Sequence, residues 1–78
     1  KRECDFVIKE KEKIKSVIQV CFDFNEENKK REIDGLIAAL NEFNLKEGLI
    51  LTYNQEDNFF IDGKIIKLVP VWKWLIEK

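Results

Sequence analysis

The chain has 78 residues, 45% hydrophobic and 37% charged, a composition typical of a small folded domain rather than a disordered segment. Its formal net charge is -1, with 14 basic and 15 acidic residues, so it lacks the overall basic excess that attracts nucleic acids. No apolar run approaches the roughly 18 residues of a membrane span, and no signal segment opens the chain. We therefore expect a soluble, cytoplasmic domain that does not contact a membrane.

Cysteine and histidine usage argues against a zinc site. The two cysteines, Cys4 and Cys21, lack CxxC spacing, and the chain has no histidine, which is the commonest partner of cysteine in zinc sites. Two reduced thiols of a cytoplasmic protein are the preferred interpretation, with a disulfide as the alternative. Because the chain starts with Lys1 and Arg2 directly before a predicted strand, residues 1–78 are interpreted as one domain from the C-terminal part of a larger protein.

The first predicted elements are two antiparallel strands. Residues 3–8 alternate between two sets of side chains with the two-residue period of a strand, and residues 14–22 are rich in β-branched residues. The charged residues 9–13 between them predict a hairpin loop. The basic residues here alternate with acidic ones, which favours a solvated hairpin over a phosphate contact; they are Lys1, Arg2, Lys9, Lys11, Lys13 and Lys15.

A helix and a βαβ crossover are predicted next. Asn25 can cap a helix whose first turn carries Glu26 and Glu27, both favoured by the helix dipole. An apolar stripe at spacings of three and four must then pack on a sheet; its members are Ile33, Leu36, Ile37, Leu40 and Phe43. Gly48 is predicted to close the loop after the helix. The apolar residues 49–53 predict an interior parallel strand.

The last third of the chain predicts a hairpin and a closing helix. Residues 59–61 and 64–69 read as strands joined by the Asp62-Gly63 turn, and Pro70 is predicted to end the second strand and begin a helix through residue 76. Trp72 and Trp74 cannot share one helical face, so either both pack in the core or one points outward. The predicted fold is α/β, a mixed sheet in the order ββαβββα.

One cluster of polar residues suggests a metal site. If the first hairpin pairs Ile8 with Ile14, then Glu3 lies opposite Gln19 and Asp5 lies diagonally from Gln19, all on one sheet face with Cys21. Carboxylate and amide oxygens are the ligands that Mg²⁺ or Mn²⁺ requires, which makes Glu3, Asp5 and Gln19 candidate metal ligands. The alternative is structural: Asp5 on a half-exposed strand, and Gln19 as a hydrogen-bonded buried amide.

This pattern resembles the PD-(D/E)XK, or restriction-endonuclease-like, superfamily. The resemblance places Asp5 at the metal-binding aspartate and Gln19 at the acidic-or-amide position, before a βαβ crossover, and implies that the fold is truncated at its N-terminus. Cys21 stands where the catalytic lysine is expected, and a thiol cannot stabilise phosphate charge as lysine does. Asp5, Gln19 and Cys21 would thus be a catalytic remnant, unless Lys15 or Lys29 replaces the lysine.

A narrower resemblance covers almost the whole chain. Residues 3–8, 18–21 and 69–75, the last with Trp72 and Trp74, look like the C-terminal domain of uncharacterised function in archaeal and bacterial AAA-type ATPases. It implies a catalytically inactive accessory domain for docking or partner recognition, with the N-terminal ATPase portion of the same chain as partner, since this sequence has no Gly-rich phosphate loop. The alternatives are a Mg²⁺-dependent nuclease with a displaced lysine and a DNA-binding module without catalysis.

Overall fold

The computed structural model describes residues 6–10 and 13–77. These residues form a small α/β domain with a mixed five-stranded sheet and two helices. The elements are β1 (Phe6–Glu10), β2 (Lys13–Val20), α1 (Lys29–Glu42), β3 (Glu47–Thr52), β4 (Asp57–Ile61), β5 (Lys64–Pro70) and α2 (Val71–Glu77). The predicted order ββαβββα is therefore confirmed.

The sheet has the strand order β1-β2-β3-β5-β4. The three middle strands β2, β3 and β5 run parallel to each other, and the edge strands β1 and β4 pair antiparallel with their neighbours. The predicted crossover is confirmed, because α1 connects the adjacent parallel strands β2 and β3. The central position of β3 also confirms that residues 49–53 contain an interior strand.

The register predicted for the first hairpin is wrong. Ile8 lies opposite Ser16 rather than Ile14, and the register shifts between Ile8 and Lys9. The predicted five-residue loop is shorter, because Lys9, Glu10 and Lys13 already belong to the strands. Charged side chains are compatible with a solvated edge hairpin, so charge alone did not mark the end of the strands.

The main helix begins later than predicted. Residues Glu26 and Glu27 lie in a turn, and α1 starts at Lys29 with Asn28 in the N-cap position. The Asn25 side chain serves this turn instead, since its Oδ1 accepts hydrogen bonds from the backbone N–H groups of Glu27 and Asn28 at 2.9 and 3.1 Å. Asn side chains commonly stabilise such turns, which compete with the first helical turn.

One face of the sheet, the α1 face, packs against α1 and forms the core. Successive strand residues point to opposite faces of the sheet, and the helix stripe lies on those of the α1 face. The buried apolar residues of this cluster are Val17, Phe24, Ile33, Leu36, Ile37, Ala39, Leu40, Ile50, Ile66 and Leu68. Phe43, predicted as part of the stripe, is partly buried at the C-cap of α1.

Gly48 belongs to β3 rather than to the loop before it. It pairs with Ile66 in the middle of the sheet, directly beneath α1. A Cβ atom built on Gly48 would lie 2.9 Å from both Cγ and Cδ2 of Leu36. Glycine is therefore needed for the close approach of helix and strand, not for a turn.

Among the described residues, helix α2 covers part of the opposite face of the sheet, the α2 face. Pro70 is the last residue of β5, paired with Thr52, and α2 follows at once from Val71. The prediction that Pro70 is the first helical residue is therefore wrong by one position. Helix α2 contacts β3 and β5, and no residue of α2, all seven of which are described, is buried.

Two turns have positive backbone φ angles, and the Asp62-Gly63 turn is the one that was predicted. Asp62 and Gly63 have φ values of 54° and 76°, the pair of positive angles that the predicted Asp-Gly hairpin turn requires. Asn44 has a φ of 59° after α1 and lets the Leu45 N–H donate to the Leu40 carbonyl at 2.8 Å.

Neither α1 nor α2, the helices of the described residues, is long and apolar enough to cross a membrane.

Candidate functional site

The candidate site lies at the carboxyl end of β2, on the α1 face. Gln19 is the next-to-last residue of β2, and Cys21 follows the strand directly. Glu3 and Asp5, the other predicted ligands, lie outside the described residues. Among the residues that the structure describes, no group of three or more His, Cys, Asp or Glu side chains could hold a metal ion. The predicted Mg²⁺ or Mn²⁺ site therefore depends on Glu3 and Asp5.

Gln19 is a buried amide that is only half satisfied. Its side chain is 9% exposed, and its Nε2 donates a hydrogen bond of 3.0 Å to Glu32 Oε1 on α1. Its Oε1 is buried and has no hydrogen-bond partner among the described residues. A buried acceptor without a donor costs stability. Packing within the described residues therefore does not account for the amide oxygen of Gln19.

Glu32 was not predicted as part of the site. It is the first-turn acidic residue of α1, and its Oε2 lies 3.5 Å from Arg31 Nη2, with the Glu32 side chain 14% exposed. The only sequence signal was its position one residue before Ile33, the start of the apolar stripe. A residue beside such a stripe lies at the edge of the helix–sheet interface, where a charged group can reach a buried polar partner.

Cys21 is held as a neutral thiol. Its backbone N–H donates to the Leu51 carbonyl at 2.9 Å, which continues the β2–β3 ladder. Burial raises the pKa of the thiol above its usual value of 9.0, and the negative charges of Glu32 and Asp23 raise it further, while Arg31 opposes them. A neutral thiol is neither a cation nor an activated nucleophile at neutral pH.

The structure does not support Lys29 as a replacement for the catalytic lysine, and it does not describe the side chain of Lys15. Lys29 Nζ lies over the ring of Phe59, 4.7 Å from the ring centroid. Phe59 belongs to β4, which is separated from β2 by two strands, so about 14 Å of sheet lies between β4 and β2. The structure does not bring Lys29 to Gln19. The side chain of Lys15 lies outside the described residues.

A groove of about 420 Å³ opens at the carboxyl edge of the parallel strands, beside the start of α1. Ligands often bind at this edge in α/β folds. Its charged side chains are three carboxylates, Glu26, Glu56 and Asp57, against the single ammonium group of Lys29. This balance disfavours a phosphate, because an anion would meet net negative charge.

We predict that Glu32→Gln lowers the pKa of Cys21. The substitution removes a negative charge and keeps an oxygen that can accept from Gln19. In a Cys4→Ser background, iodoacetamide should then alkylate Cys21 faster at mildly alkaline pH, with the rate profile moved to lower pH. Asp34→Asn is the matched control, because it removes the same charge from α1 at a residue whose carboxylate is paired with Lys30 at 2.7 Å. Identical profiles for Glu32→Gln and wild type would contradict the assignment.

Comparison with known proteins gives one informative similarity. No protein-family model matches the chain, and no solved structure matches it. The chain is 41% identical, over 81 aligned positions, to an uncharacterized protein of Methanocaldococcus jannaschii. The alignment covers 92% of this chain but 17% of that protein, so the chain corresponds to a small part of this longer archaeal relative.

Proposed function

We propose that the chain is a catalytically inactive, restriction-endonuclease-like accessory domain of a longer, AAA-type ATPase, used for docking or partner recognition. The observation that carries this proposal is the chemistry at the end of β2. Where the resembled superfamily has a lysine two residues after the acidic-or-amide position, this chain has Cys21, whose pKa is raised. Cleavage of a phosphodiester needs positive charge beside the phosphate, and this thiol supplies none.

The surroundings of Gln19 also support loss of catalysis. Its Nε2 is engaged by Glu32, and a carboxylate at that place would repel a phosphate group. Arg31 Nη2 lies 3.5 Å from the Glu32 carboxylate, so its positive charge is already paired. The half-satisfied Gln19 is what remains when the ligand of a site is lost but the residue is kept.

The accessory role is supported by the comparison with the archaeal relative. The chain corresponds to 17% of that protein, so the similar segment occurs there within a much longer polypeptide. In this proposal the ATPase activity belongs to other parts of the longer protein, and the partner of this domain is that ATPase portion. The groove at the carboxyl edge, with its excess of carboxylates, does not favour DNA as the partner.

We predict that the purified domain does not cut plasmid or single-stranded DNA with millimolar Mg²⁺ or Mn²⁺. An Asp5→Ala variant serves as the control, because contaminating nucleases would cut equally in both preparations. Metal-dependent cutting by wild type that is lost in Asp5→Ala would contradict the proposal and favour a nuclease with a displaced lysine. Binding of uncut DNA that weakens steeply with salt would instead favour a DNA-binding module.

A further inference from the structure

Helix α2 packs on the sheet without burying any of its own residues. None of its described positions, Val71–Glu77, is buried, whereas α1 contributes six buried residues to the fold. A helix of seven residues is marginal without tertiary packing. Valine, isoleucine and tryptophan, which supply much of α2, also have a lower helical propensity than alanine or leucine. The stability of α2 therefore depends on the contacts that it makes with the rest of the fold.

Polar side chains tie α2 to the loop that follows β3, residues 53–56. Lys73 Nζ forms an ion pair and a hydrogen bond with Glu56 Oε2, and Trp72 Nε1 donates to Asn54 Oδ1 at 3.4 Å. Both contacts are exposed to solvent, where an ion pair contributes little to stability and is weakened by salt. These contacts can therefore break and re-form without disturbing the core.

Release of α2 would widen an apolar groove on the α2 face. The groove has a volume of about 360 Å³, and Trp74 of α2 lines it together with Ile18 and Leu51 of the strands. With α2 in place, Ile18 is 3% exposed and Leu51 is 5% exposed. Neither belongs to the buried cluster beneath α1. Both side chains can therefore lose the cover of α2 while α1 remains packed on the other face of the sheet.

We propose that α2, Val71–Glu77, is a strap that detaches from the sheet while α1 and the five strands stay folded. The closed strap covers Ile18 and Leu51, and the open strap exposes them. Segments with few buried contacts open locally at a smaller free energy than the whole domain. Loss of the ion pair between Lys73 and Glu56 shifts the population toward the open strap. This proposal goes beyond the accessory role and does not depend on the nuclease-like ancestry.

Tryptophan fluorescence measures the strap selectively. The chain has two tryptophans, Trp72 and Trp74, and both lie in α2, whereas far-ultraviolet circular dichroism reports mainly on α1 and the sheet. In a urea titration of the wild-type domain, the tryptophan emission should move to longer wavelength at lower urea than the circular dichroism signal is lost. Coincident transitions would overturn the proposal, because α2 would then leave only when the whole domain unfolds.

Glu56→Gln and Lys73→Met test the ion pair that holds the strap closed. Each removes one charge of the pair, which should favour the open strap about two- to fivefold. The fluorescence transition should move to lower urea, and the circular dichroism transition should stay in place. Glu47→Gln is the matched control, because Glu47 pairs with Lys67 at 3.0 Å on the same face but between β3 and β5. It should leave the fluorescence transition where it is in wild type.

The variants can also contradict the proposal. An equal shift of both transitions in Glu56→Gln would show that its ion pair stabilises the whole domain rather than the strap. No shift of the fluorescence transition in either Glu56→Gln or Lys73→Met would show that this pair does not hold α2 closed. None of these results bears on the nuclease assay, so failure of the strap and failure of the proposed function are distinguishable.

Discussion

Leu36→Ala is expected to destabilise the domain by about 2–5 kcal/mol, the range for truncating a buried leucine that leaves a cavity. Leu36 is 0% exposed and lies in the middle of α1, packed on β3. A domain this small has a total stability on the order of 5–10 kcal/mol, so the loss is a large fraction of the whole. Urea unfolding, followed by the far-ultraviolet circular dichroism signal, measures it. A loss below about 1 kcal/mol would show that the core can collapse around the missing atoms.

The same contact can be examined from its other side through Gly48→Ala. The new Cβ would lie 2.9 Å from two atoms of Leu36 and 3.0 Å from a third, so Leu36 or the helix must move, at a cost of about 1–3 kcal/mol. The Leu36→Ala, Gly48→Ala double variant is the internal control, because the shortened side chain makes room for the Cβ. Its cost should be smaller than the two single costs combined. Strict additivity would contradict the close approach as the reason for Gly48.

The order of elements was predictable because each depends on local patterns. Apolar residues that recur with a two-residue period indicated strands, and those that recur with a helical period indicated the helix. The Asp62-Gly63 turn was predictable because both residues accept positive φ angles. The errors arose where distant packing decides the outcome. Gly48 looks like a loop residue in sequence, since only the position of Leu36 shows that its missing side chain is needed within β3.

The candidate site was predictable only in part for the same reason. Gln19 stood out as an amide in an apolar strand, and Cys21 as a thiol at the end of that strand. Their relation to Glu32 could not be predicted, because it depends on how α1 crosses the sheet, and the 3.0 Å contact joins residues 13 positions apart. The hairpin register was likewise undetermined, since several charged pairings were acceptable at a solvated edge.

Gln19→Leu is expected to stabilise the domain by about 1 kcal/mol, which is unusual for a substitution of a buried residue. The substitution removes the buried Oε1 that has no partner among the described residues and fills a similar volume with apolar atoms. Glu32 loses the amide donor, but its side chain is 14% exposed and can be hydrated. A gain of this sign is expected where a residue was selected for a site rather than for stability.

Gln55→Leu is the matched control, because it makes the same change at a glutamine whose amide oxygen and nitrogen both form hydrogen bonds. Gln55 Oε1 accepts from the Phe24 N–H at 3.0 Å, and its Nε2 donates to the Phe24 carbonyl at 2.7 Å. Its loss leaves two part-buried backbone groups without partners, at a cost of about 2 kcal/mol. Opposite signs for the two variants would support Gln19 as the remnant of a ligand site. A destabilised Gln19→Leu would instead show that the buried oxygen has a partner, such as an internal water, and that Gln19 is structural.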